Sequence, residues 1–81
     1  MKQSGRIRAA IELLDEIFSF RQPADNTVNV YFRTRRYIGG GDRREISALV
    51  WFVLRRYGRL RRSFGKDPTG REAVAAALRY R

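Results

Sequence analysis

The residues with chemistry to offer in this chain are its arginines. Its 81 residues include sixteen arginines and two lysines against eight carboxylates, a formal net charge of +10. From Ile46 to Lys66 no Asp or Glu interrupts them. A guanidinium is a planar fork of donors that matches phosphate, stays charged at any physiological pH and stacks on bases. The bias therefore points to a polyanion, with nucleic acid first. The same charge has plainer outlets, a solvated basic face or an acidic protein partner. Density alone selects Arg55, Arg56, Arg59, Arg61 and Arg62 as candidate phosphate contacts. Arg35 and Arg36 join them from a run in which Arg33, Arg35 and Arg36 also close a helix end, where cations suit the helix dipole.

Covalent and acid–base chemistry find little to work with. The chain has no Cys, hence no thiolate nucleophile and no disulfide, and no His, so the usual zinc ligands are missing together. Glu12 and Glu16 stand one turn apart on the polar face of a helical pattern, where solvated charge is the ordinary reading and an acid/base pair is not. Gly39, Gly40 and Gly41 lie between two helical patterns rather than after a strand, so they read as a tight turn into a helix start and not as a cofactor loop. Among the aromatics, Tyr57 continues a core stripe and Trp51 reads as packing between helices. Tyr37, beside the glycine turn, is the candidate for stacking on an unpaired base. The expectation is a chain with no catalytic centre, no cofactor and no metal.

The elements that must position these groups are helical. Ser4 is expected to cap a first helix running to about Phe20, with Ile7, Ala10, Ile11, Leu14, Ile17 and Phe18 on one face. Arg21, Gln22 and Pro23 break it, and Pro23 or Asp25 opens a second helix that turns Val28, Tyr31 and Phe32 inward. Asp42 and Glu45 have capping-box spacing, which places the start of a third helix at Asp42. Its apolar residues Ile46, Leu49, Val50, Val53, Leu54 and Tyr57 recur at helical intervals, with Trp51 and Phe52 on the flanks, as in a central helix with several neighbours. Gly58 offers a break, and residues 59–64 read as a short helix carrying Leu60 and Phe64 inward. Asp67 and Pro68 mark a loop. Thr69 and Glu72 repeat the capping box before a last helix whose thin apolar face is Val74, Ala77 and Leu78. Five short helices in one all-α domain over residues 1–81 result, about the size that folds alone with limited margin. The last pattern is still apolar at Leu78 and Tyr80 and stops at Arg81 without a Gly or Asn cap, which reads as a bundle cut while continuing. The N-terminal stretch is interrupted by Glu12, Asp15 and Glu16 and is neither a signal peptide nor a membrane span, so no membrane partner and a cytoplasmic location are expected.

The order of RIRAAIELLDEI, a Pro-containing turn, NVYFRTRRY, then GGGDRREISALVWFVLRRYGRL and a final TGREAVAAAL resembles the N-terminal domain of bacterial cytosine-5 ribosomal RNA methyltransferases of the RsmB/Nop type. That domain is similar to the transcription antitermination factor NusB. The resemblance covers nearly the whole chain, most specifically the glycine turn, Asp42-Arg43-Arg44, the apolar helix and the Arg-Arg pair followed by Leu60.

The resemblance implies an all-α, NusB-like bundle that binds RNA, ribosomal RNA by analogy, and positions it while a separate domain does the chemistry. It implies RNA contacts by Arg6 and Arg8 at the start of the first helix, with Lys2, and by Arg43; Asp42 is implied to be structural. The chain departs from the family in stopping before the later helices and in lacking the S-adenosylmethionine-binding domain, so that cofactor belongs to a longer parent enzyme and not to these residues. The alternatives are a protein-interaction module that pairs with a ribosomal protein or with itself, and a stand-alone antitermination-type RNA binder. A helix-turn-helix DNA reader is disfavoured, because the helix after the glycine turn is too apolar to lie in a groove.

Overall fold

The computed structural model of the protein describes residues 1–19 and 22–79. Among them it contains five helices and no strand: α1 (Gln3–Ser19), α2 (Ala24–Thr34), α3 (Gly40–Arg55), α4 (Tyr57–Phe64) and α5 (Gly70–Arg79). The expected helix end at Phe20, the break residue Arg21 and the chain end at Tyr80 and Arg81 lie outside the described residues. The Cα envelope measures 37 × 27 × 15 Å, and its thin dimension leaves room for one helix laid on another at the usual spacing of about 8–10 Å.

The core forms where α1 meets its neighbours. It packs most extensively on α5 and α3 and less on α2, while α3 also meets α5. With neighbours on three sides, α1 buries more than one seam: Ala9, Ala10, Leu13 and Leu14 are buried, and Ile7, Ile11, Ile17 and Phe18 flank them. Ala9 and Leu13 thus join the core from outside the expected stripe. In α3 most of the expected stripe is buried (Ile46, Leu49, Val50 and Val53), with Trp51 and Phe52 packed at the edges. Leu54 is only partly buried, and Tyr57, expected in the core, falls beyond the break as the half-buried first residue of α4. α2 contributes Val28, Tyr31 and Phe32, and α5 contributes Ala73, Val74 and Ala77.

Helix ends depart from expectation in several places, each for a local reason. Ser4 lies inside α1, whose first turn closes on the Lys2 carbonyl through the Arg6 amide at 3.1 Å. Asp42 does not cap α3: the helix begins two residues earlier, its cap residue is Gly39, and no side chain bonds the cap. The Asp42 carboxylate faces Arg6 and the N-terminal ammonium instead. Gly40 and Gly41 are helical rather than turn residues. The break after α3 falls at Arg56 (φ −110°, ψ 13°), whose amide bonds Val53 three residues back, and Gly58 lies inside α4. That re-aimed helix seats Leu60 in the core but leaves Phe64 at its end, 37% exposed. Gly65 stops α4 in the left-handed conformation (φ 69°), which glycine adopts without a Cβ penalty.

The second capping box forms as expected. The Glu72 amide donates to Thr69 Oγ1 at 3.2 Å and the Thr69 amide donates to Glu72 Oε1 at 3.0 Å. The next amide, on Gly70, donates to Asp15 Oδ1 of α1 at 2.7 Å, so two orphan donors of the α5 start are met locally and a third across the bundle.

Candidate nucleic-acid interface

Which arginines remain available follows from where the eight carboxylates go. Asp42 accepts from Arg6 Nε at 2.8 Å and faces the N-terminal ammonium at 3.3 Å. The Arg6 guanidinium, donating to it, holds its carboxyl below the usual carboxylate range, and the N-terminal ammonium adds to this. Glu12 and Glu16 both face Arg35, at 3.0 and 3.9 Å, rather than being merely solvated. Asp67 accepts from Arg61 Nε at 2.6 Å, Glu72 faces Lys66 at 3.3 Å, and Asp15 takes the Gly70 amide. Among the described residues only Asp25 and Glu45 then lack a cationic or amide partner. The acids thus engage Arg6, Arg35 and Arg61, and no carboxylate among the described residues pairs with any of the other eleven described arginines.

Seven of those eleven arginines gather around two grooves, with Arg8, Arg44, Arg71 and Arg79 outside both. The first, about 380 Å³, lies between the end of α2 and the start of α3 and is lined by Asn29, Phe32, Arg33, Arg36, Ile38 and Arg43. The Arg43 guanidinium sits over the buried Phe32 ring, 5.1 Å from its centroid, which fixes it at the groove wall. The second, about 480 Å³, lies at the α3–α4 junction and is lined by Arg55, Arg56, Gly58, Arg59 and Arg62. Here Arg56 is anchored, stacked 3.7 Å over Phe52 and donating to the Phe52 carbonyl at 3.3 Å, and it presents its remaining donors from a fixed position. The two grooves sit at opposite ends of α3: Arg43 and Arg55 are twelve residues apart on one helix, about 18 Å along its axis.

The turn joining α2 to α3 carries the other exposed groups. Arg35 is held by Glu12 and Glu16, by the Tyr31 carbonyl at 3.4 Å and by Thr34 Oγ1 at 3.1 Å, and it stacks 4.0 Å over the Tyr31 ring. Burial, reinforced by the Glu12 carboxylate, pushes the Tyr31 phenol up. The Ile38 amide returns to the Arg35 carbonyl at 3.0 Å, closing a four-residue turn with Arg36 and Tyr37 at its corners. Tyr37 is 79% exposed.

Comparison with protein-family models, curated proteins and solved structures finds no match to the chain.

Of the sequence-selected contacts, Arg36 and Arg43 meet in the first groove and Arg55, Arg56, Arg59 and Arg62 in the second. Arg8 is exposed on α1, beside a small depression that Tyr37 also lines. Lys2 is exposed just before α1. Arg6, Arg35 and Arg61 are each in an ion pair. Arg33 and Asn29 belong to the first groove and were not selected. Asn29, Phe32, Arg33 and Arg36 recur at i, i+3, i+4 and i+7, the spacing that marks a core stripe when the residues are apolar.

Proposed function

We propose that this chain is an RNA-binding helical module that holds its ligand by phosphate contacts in the two arginine grooves. The supporting observation is the charge distribution: the carboxylates neutralise Arg6, Arg35 and Arg61 and leave the seven groove arginines without acidic partners among the described residues. Stacking on Phe32 and Phe52 holds two of these guanidinia at the groove walls. The resemblance to the NusB-like N-terminal domain of RsmB/Nop-type methyltransferases supports the same reading and makes ribosomal RNA the proposed ligand. By that analogy the module positions RNA for an S-adenosylmethionine-dependent cytosine-5 methyltransferase domain. Arg8, unpaired on the exposed side of α1, extends the basic surface; Arg6 contributes charge from a position shared with Asp42.

Salt dependence tests the proposal. Each phosphate contact removed lowers the slope of log affinity against log salt by roughly 0.7–0.9. The triple variant Arg33→Ala, Arg36→Ala, Arg43→Ala is expected to lower the slope for ribosomal RNA fragments by about two units. The triple Arg55→Ala, Arg59→Ala, Arg62→Ala is expected to do likewise, with helicity retained in both. Slopes equal to the parent's in both folded variants would overturn the phosphate-groove reading and put the protein-interaction module in its place.

A further inference from the structure

We infer that the α2–α3 turn is a subsite for an unpaired nucleotide, with the Tyr37 ring as the surface on which its base stacks. The inference rests on the RNA-binding reading above and adds to it the strandedness of the ligand. Its starting point is that Tyr37 has no role in holding the fold together. At 79% exposure it is the most exposed large apolar side chain among the described residues, and no aromatic partner or hydrogen bond engages it there. A ring displayed in this way is free to stack, and every base offers a face to stack on it.

The turn also presents the ring from a fixed position. On one side Arg35 is held by Glu12, by the Tyr31 carbonyl and by stacking on the Tyr31 ring. On the other, Ile38 is buried and its amide closes the turn on the Arg35 carbonyl. Both ends of the turn being anchored, its two corner residues are held in place, Arg36 at the phosphate groove and Tyr37 at the smaller depression, which lowers the ordering cost of binding.

Charge lies on both sides of the ring. The phosphate groove carries Arg36, Arg33 and Arg43, and the smaller depression lined by Tyr37 carries Arg8. The two hollows share Ile38 as a common wall. Glu12 also lines the depression, but Arg35 pairs with it at 3.0 Å, so the hollow does not present an unmatched negative charge to a phosphate. A single strand crossing the turn would have guanidinia in both hollows for its phosphates and the ring for a base. In a duplex the bases are stacked on one another and offer no free face to the ring.

The test compares oligouridine with the duplex it forms with oligoadenine. Tyr37→Ala is expected to weaken oligouridine binding roughly tenfold or more, the loss of one base–aromatic stack. The salt slope should stay at the parent's value, because no phosphate contact is removed. Tyr37→Phe keeps the ring and is expected to bind as the parent does. Duplex affinity should be the same for parent and Tyr37→Ala. Unchanged oligouridine affinity in Tyr37→Ala, with the Arg33, Arg36 and Arg43 triple still weakening it, would overturn the stacking subsite and leave the phosphate grooves standing. An equal loss on the duplex would overturn it too, since the ring would then act through general contact. Absence of RNA binding by the parent would remove both readings together. The solvent-exposed position keeps the alanine variant folded, which circular dichroism verifies.

Discussion

A Cβ placed on Gly70 would lie 2.5 Å from the carbonyl oxygen of Ile11 and 2.6 Å from Oδ1 of Asp15. In an ordinary helix interior a Gly→Ala change gains roughly 0.5–1 kcal/mol. Here the obstacle is the backbone of a neighbouring helix, which cannot swing aside as a flexible side chain does, and overpacking of that kind costs typically about 1–3 kcal/mol. Gly70→Ala is therefore expected to lower the urea midpoint. Gly58→Ala, with nothing within 4 Å of the added carbon, should leave the midpoint unchanged or raise it. Should Gly70→Ala prove as stable as the parent, the α1–α5 approach is looser than described. Nothing near Gly70 in sequence announces this, because its partners are 55 and 59 residues away. The arginines show the same limit: Arg6 and Arg35 look alike to Arg8 and Arg36 in sequence, and only long-range pairing with Asp42 and Glu12 separates them.

At the scale of elements, what was legible followed how local its cause is. The inward face of α2 and the Ile46, Leu49, Val50 and Val53 stripe of α3 are properties of one helix and one core, and both read correctly; the end of that stripe did not, because the break at Arg56 carries Tyr57 into α4. The capping box of α5 also read correctly, since Thr69 and Glu72 satisfy each other within a single turn. The box expected at Asp42 did not form, although its spacing is identical, because a guanidinium from α1 takes the carboxylate. The wider buried face of α1 depends on having three neighbours, and a single-stripe reading has no means of counting them. Two substitutions separate a cap that forms from one that does not. Thr69→Ala is expected to cost about 0.5–2 kcal/mol in denaturant unfolding. Ser4→Ala, at a position inside α1, should fall within about 0.5 kcal/mol of the parent. Equal losses from both would mean that Ser4 caps α1 after all.

For the molecule as a whole, a net charge of +10 on 81 residues sits in a body whose longest dimension is 37 Å. At about 0.01 M ionic strength the screening length is about 30 Å, so nearly every pair of charges repels; at 0.15 M it is about 8 Å and only neighbours interact. Self-repulsion of a charge this large destabilises the compact state, and the five side-chain ion pairs among the described residues are mostly half-exposed and individually weak. Raising NaCl over that range is therefore expected to raise the melting temperature, while the same change weakens RNA binding. A melting temperature that falls with salt would show that the pairs made by Asp42, Glu12 and Asp67 outweigh the repulsion.

The close passage of Gly70 against α1 also bears on the order in which the chain is made. α1 leaves the ribosome well before α5, yet these two helices share the most extensive contact in the bundle. Until residues 70–79 have emerged, the faces of α1 and α3 that meet α5 lack the cover that its buried residues Ala73, Val74 and Ala77 supply. The earlier helices can form as they appear, but the loop that separates them from α5 must close before their apolar faces are sealed, and such non-local closure is the slow part of folding. The interior of this bundle is therefore completed only once α5 has been made, rather than helix by helix along the way.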